Sequence, residues 1–141
     1  MIRGLVLPEL GALLLSDVRL VGSSQVSRIL FLVDTGAQHS ILMPHDLRSF
    51  SDLPLGDLQE GPIVHGLGGN LRSQISLSSL SFRHESNART TFTLPLAVSR
   101  GVGQEDLPSI LGRDVLFRGQ LSVGVHGLTW DVEPGEHDLT T

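Results

Sequence analysis

Short apolar runs alternate along this chain with clusters of glycine, proline and small polar residues. That rhythm predicts an all-β domain. Strands are expected over residues 5–7 and 13–20, with Pro8, Glu9 and Gly11 in the turn between them. Ile29-Leu30-Phe31-Leu32-Val33 is unbroken and apolar, as a buried strand at 28–33 would be. A short strand at 41–43 leads into Pro44, which suits the first turn of a short helix at 45–50. Residues 51–62 read as loop. Ile63-Val64 and an alternating stretch at 71–77 flank a glycine cluster, which suggests a hairpin with a flexible tip. Further strands are expected at 80–83 and 90–98, then a loop at 99–108. Ile110-Leu111 is a brief apolar pair, Asp114 is placed to cap a short helix at 115–117, and 121–125 with 128–132 form a closing hairpin.

At 141 residues the chain is one domain, expected over residues 1–133 and followed by a flexible acidic tail at 134–141. Every cation is Arg or His, because Lys is absent. The net charge is −5 and the ten Arg are scattered, which argues against nucleic acid as a partner. With no Cys, disulfides and thiolate metal sites are excluded. Pro8 and Glu9 interrupt the first apolar run, and no stretch reaches the length of a membrane span. No membrane partner is expected, and a cytoplasmic location is.

Candidate chemistry concentrates at the end of the 28–33 strand, where Asp34, Thr35, Gly36 and Ala37 follow one another. A carboxylate ending a core strand is costly unless it is paired or shares a proton. The ordinary alternative is an Asx-type turn, since Asp and Gly are common turn residues. Two further features lie downstream. One is the glycine cluster Gly66, Leu67, Gly68 and Gly69, preceded by Val64 and His65. The other is Ile110, Leu111, Gly112, Arg113 and Asp114.

An apolar strand ending in Asp-Thr-Gly-Ala, then a glycine-rich hairpin, then apolar-apolar-Gly-Arg-Asp: this order resembles the retropepsin family, the single-domain aspartic proteases of retroviruses and their cellular and bacterial relatives. The resemblance spans about residues 5–132 by the order of its strand and turn signals. It implies a closed retropepsin-like acid-protease β-barrel with one or two short helices, assembled as a two-fold homodimer. It also implies an aspartic endopeptidase acting on peptide or protein substrates without a cofactor. Two carboxylates close enough to share one proton cannot both ionise, so together they activate a water and protonate the leaving amide. The chain carries one Asp-Thr-Gly, so the second Asp34 must come from a second copy.

The resemblance also assigns roles. Asp34 is the catalytic acid or base. Thr35 bonds across the dimer axis, Gly36 leaves room for substrate backbone, and Ala37 lines the pocket. His65, Gly66, Leu67, Gly68 and Gly69 form a flap closing on an extended peptide. Val64, Ile110 and Leu111 are apolar subsite walls, Gly112 permits their close approach, and Arg113 and Asp114 begin the supporting helix. The chain departs from many retroviral members in carrying Gln38 where they have an acid that pairs with the later arginine. A complete hairpin also follows the helix, where viral chains soon end.

Other chemistries fit less well. The six His show no metal-ligand spacing, and no metal site is expected. Ser40, Ser78, Ser79 and Ser109 lack a nucleophile elbow. The glycine cluster lacks the Gly-Lys-Ser/Thr ending of a phosphate loop. The rival reading is a retropepsin-like module that binds peptide or dimerises without cutting.

Overall fold

The computed structural model describes residues 1–66, 69–101 and 106–140. In chain order the strands are β1 (Ile2–Leu7), β2 (Gly11–Leu20), β3 (Val26–Val33), β4 (Ile41–Leu42), β5 (Gln59–Glu60), β6 (Val64–Gly66) and β7 (Gly69–Leu71). They continue with β8 (Gln74–Arg83), β9 (Arg89–Val98), β10 (Ile110–Leu111), β11 (Gln120–Gly124), β12 (Gly127–Asp131) and β13 (Gly135–Asp138). Two four-residue helices interrupt them, α1 (Pro44–Leu47) and α2 (Arg113–Leu116).

Six strands close on themselves. The path β2-β3-β10-β4-β9-β8 returns to its start because β8 also pairs with β2, from Asp17↔Ser81 to Leu20↔Ser78. The chain is therefore all-β with a closed barrel, as expected. Along β2, Leu14, Ser16, Val18 and Leu20 are buried, while Leu15 and Arg19 are exposed, the period-two pattern of a strand with one face on a core. The barrel interior is apolar, and Phe82, Phe92 and Trp130 meet inside it at centroid distances of 5.1 to 6.2 Å. Trp130 Nε1 donates to the Leu116 carbonyl at 3.1 Å, which fixes β12 against α2.

Three expectations need correction. The sequence predicts separate strands at 71–77 and 80–83. Instead β7 ends at Leu71 and β8 runs unbroken through Ser78 and Ser79, with Ser76 and Ser78 buried and Leu77 exposed. Leu80 and Phe82 set the phase, because bulky side chains gain more from burial than serines lose. Ser78 is compensated by donating to the Leu94 carbonyl at 3.0 Å.

The second correction concerns the acidic tail. Far from loose, residues 135–138 form β13, which runs parallel to β9 from Gly135↔Thr90 to Asp138↔Thr93. His137 stacks on Phe92 at 5.0 Å. The third is that Asp114 does not cap its own helix. Gly112 occupies the N-cap position, and the Asp114 carboxylate is used elsewhere.

The C-terminal strand joins a buried polar contact. Thr90 Oγ1 donates to the Glu133 carbonyl at 3.2 Å and is hydrogen-bonded to His84 Nε2. Burial, then the N-terminal ammonium, lowers the His84 pKa, with Asp131 opposing. The unfolded chain therefore takes up this proton more readily than the folded one. Stability should fall as pH drops below the ordinary His value of 6.5, and the contribution should vanish above it, where both states are neutral. Urea midpoints at about pH 7.5 and 5 check this, and His84→Gln should flatten the difference.

Among the described residues, no helix is long and apolar enough to cross a membrane.

Candidate active site

Asp34 stands where β3 leaves the barrel. Its neighbour is β10, which pairs parallel to β3 through Ile110↔Leu32 and Leu111↔Val33. The ladder continues one step past the strand, since Asp34 N–H donates to the Leu111 carbonyl at 3.0 Å. The loop then turns tightly. Ala37 N–H donates to the Asp34 carbonyl at 3.1 Å, and Gly36 N–H donates to Asp34 Oδ1 at 2.9 Å. Asp34 is half-buried, Thr35 and Gly36 are exposed, and Ala37 is buried. The other Asp34 carboxylate oxygen and the Thr35 hydroxyl have no hydrogen-bond partner among the described residues.

The second motif wraps this loop from beneath. Arg113 N–H donates to the Ala37 carbonyl at 2.8 Å. The Arg113 guanidinium reaches the Thr35 carbonyl at 3.5 Å, so its contact is with the active loop's backbone and not with Gln38. Gly112 lies so close to the loop that an added Cβ would stand 2.8 Å from both the Ala37 oxygen and the His39 carbonyl carbon. Both are backbone atoms with little freedom to yield. Gly112→Ala should cost about 1–3 kcal/mol of stability, read as a lower urea midpoint.

Two serine–carboxylate pairs, which sequence reasoning missed, complete the support. Ser40 is buried; its N–H donates to Asp114 Oδ2 at 3.0 Å and its hydroxyl to Oδ1 at 2.6 Å. The same hydroxyl accepts from Gly112 N–H at 2.9 Å. Ser109, also buried, donates to Asp46 Oδ2 at 2.6 Å and accepts from Met43 N–H at 2.9 Å. Its carbonyl takes the Leu32 N–H at 2.8 Å. Each serine thus joins the region after Asp34 to the second motif, with its buried hydroxyl both donating and accepting.

β6 and β7 form the hairpin expected between the motifs, with Val64↔Leu71, His65↔Asn70 and Gly66↔Gly69 opposed. His65 Nδ1 is hydrogen-bonded to Asn70 Oδ1 across it. Leu67 and Gly68, named for its tip, lie outside the described residues. The base of the hairpin packs on the site. Val64 and Leu71 share a buried cluster with Ala37, Ile41, Met43, Ala97 and Ile110. Residues from all three sequence features thus meet in one place. Leu111 does not join them. In a two-residue strand its side chain opposes that of Ile110, and it packs in the main core instead.

A motif-bearing loop pinned by a second motif beneath a hairpin agrees with what comparison with known proteins finds. The model of the retroviral aspartyl protease family matches residues 15–124. The chain belongs to that family. The match runs from within β2 to the end of β11 and includes the Asp34 loop, the β6–β7 hairpin and the second motif. Among solved structures the chain is similar to EIAV protease complexed with the inhibitor HBY-793. Identity is 20%, the match covers 74% of this chain and 84% of that one, and the TM-score is 0.47. No curated protein matches the chain. The chain carries one Asp-Thr-Gly loop, held from both ends and open to solvent at its turn.

No group of three or more His, Asp or Glu among the described residues is placed to hold a metal ion.

Proposed function

We propose that this protein is an aspartic endopeptidase. Water is activated between two Asp34 carboxylates, one from each subunit of a homodimer, and attacks the peptide carbonyl. One carboxylate takes the water's proton while the other, protonated, donates to the carbonyl oxygen and later the leaving nitrogen. The observation that carries this reading is the state of Asp34. One carboxylate oxygen is fixed by Gly36 N–H, and the other is free at the mouth of a rigid loop. A purely structural Asx turn has no need of a second motif bracing it from below. Family membership supports the same reading.

The chain has a single such loop, so the dyad requires a second copy, and the exposed Thr35 hydroxyl is available to bond across the axis. The β6–β7 hairpin serves as the flap. Val64, Ala37 and Ile110, grouped beneath it, favour substrates with bulky apolar residues beside the cut bond.

Cleavage of a diverse peptide pool across pH tests the proposal. Activity should lie on the acidic side, roughly pH 4 to 6, and should fall steeply on dilution below the dimer constant. No cleavage at any pH by a confirmed dimer would sink it and favour a module that binds peptide without cutting.

A further inference from the structure

Away from the Asp34 loop, a cleft of about 430 Å³ lies along the far side of the hairpin, between β5, the start of β8 and the end of β9. Leu58, Leu71 and Val98 contribute apolar surface to it, and Arg72 and Arg100 border it. A second groove of about 330 Å³ adjoins it, with Arg100 and Gly101 lining both. That groove passes over Leu47, Phe50 and Leu55 beside α1, with Arg48 at its edge.

The three arginines are exposed, and none has an ion-pair partner among the described residues. Elsewhere Arg3, Arg28 and Arg89 are neutralised by Glu85 or Asp17, while Arg19, Arg83, Arg113 and Arg118 lie at other places on the fold. Among the described residues, Glu60 is the one acid lining either groove. Three of the seven arginines that have no ion-pair partner among the described residues thus border this channel. The channel floor is fixed, because the Gln74 side-chain amide donates to the Leu55 and Leu58 carbonyls at 3.0 and 3.2 Å.

We infer that this channel is a docking site for an extended acidic peptide segment whose carboxylates alternate with apolar side chains. Guanidinium forks bind carboxylates with geometric preference, and the apolar floor takes the intervening side chains. Unbroken polyanions fit less well, because the cations are spaced apart over an apolar surface. The site is separate from the proposed dyad, since no residue of the Asp34 loop lines it. It does touch β7, whose Leu71 also packs with Ala37 and Ile110, so its occupant would bear on the root of the hairpin.

The test measures fluorescence anisotropy of a short labelled peptide in which Asp and Leu alternate, added to the full chain. Saturable binding is expected, weakening with salt as exposed charge pairs do. The double variant Arg72→Glu, Arg100→Glu should lose affinity about tenfold or more, and Glu60→Arg should gain a few-fold. Arg83→Glu, at the opposite end of β8, should change it less than about twofold. A peptide with Lys in place of Asp should not bind. Absence of saturable binding, or binding indifferent to both the double variant and Glu60→Arg, would overturn the inference. Hydrolytic activity enters none of these readings.

Discussion

Asp34→Asn is expected to reduce peptide hydrolysis by about ten-thousandfold or more while leaving the fold and the dimer in place. The amide has nearly the shape of the carboxylate, and its oxygen can still accept the Gly36 N–H that now holds Asp34 Oδ1 at 2.9 Å. The loop should therefore keep its turn. What the variant cannot do is share a proton. Two Asn side chains on the axis offer neither an anion to activate water nor an acid to protonate the leaving amide. Association should be about as tight as in the wild type, because the side chain keeps its shape and its contact with Gly36 N–H. The decisive measurement is turnover on a peptide the wild type cleaves, alongside sedimentation at matched concentrations. Turnover surviving in the variant would remove Asp34 from catalysis. A monomeric variant would mean that Asp34 acts mainly in assembly.

The parts of this site legible in the sequence are those whose chemistry is local. An apolar strand ending in Asp34-Thr35-Gly36, a hairpin rich in glycine and an apolar pair before Gly112 each announce themselves within a few residues. The alternation of strands such as β2 is legible as well, while closure into a barrel is implied only by the family resemblance. What stayed hidden depends on partners far along the chain. Ser40 and Asp114 are 74 residues apart, and Ser109 and Asp46 are 63 apart. Nothing in a serine's immediate neighbours says that it will be buried against a carboxylate. The inward serines of β8 misled for a related reason. Burial of Leu80 and Phe82 fixed the strand's phase, and Ser76 and Ser78 followed. β13 carries Gly, Glu, His and Asp, with no apolar alternation, so only the open edge of β9 makes it a strand.

The hidden pair at Ser40 supports the other large expectation, that Asp114→Ala costs about 3–4 kcal/mol of stability and most of the activity. Asp114 accepts from Ser40 N–H through both oxygens, at 3.0 and 3.1 Å, and from its hydroxyl at 2.6 Å. Ser40 is 1% exposed, so the alanine variant leaves a buried amide and a buried hydroxyl without that acceptor. Water cannot freely replace it, and each orphaned group costs about 1–3 kcal/mol. The damage would also reach Asp34. Ser40 ends the loop that Asp34 begins, and its hydroxyl receives Gly112 N–H at 2.9 Å. Releasing Ser40 therefore loosens the contact between the two motifs while Asp34 itself is untouched. Asp114→Asn provides the contrast. Its amide oxygen can still accept one Ser40 bond, so it should retain more stability than the alanine variant. Urea midpoints for the three proteins, read beside their turnover, test this order. Equal stability of wild type and Asp114→Ala would show that the serine pair is not what holds the loop, leaving the backbone bonds from Asp34 to Leu111 and from Arg113 to Ala37 to do so.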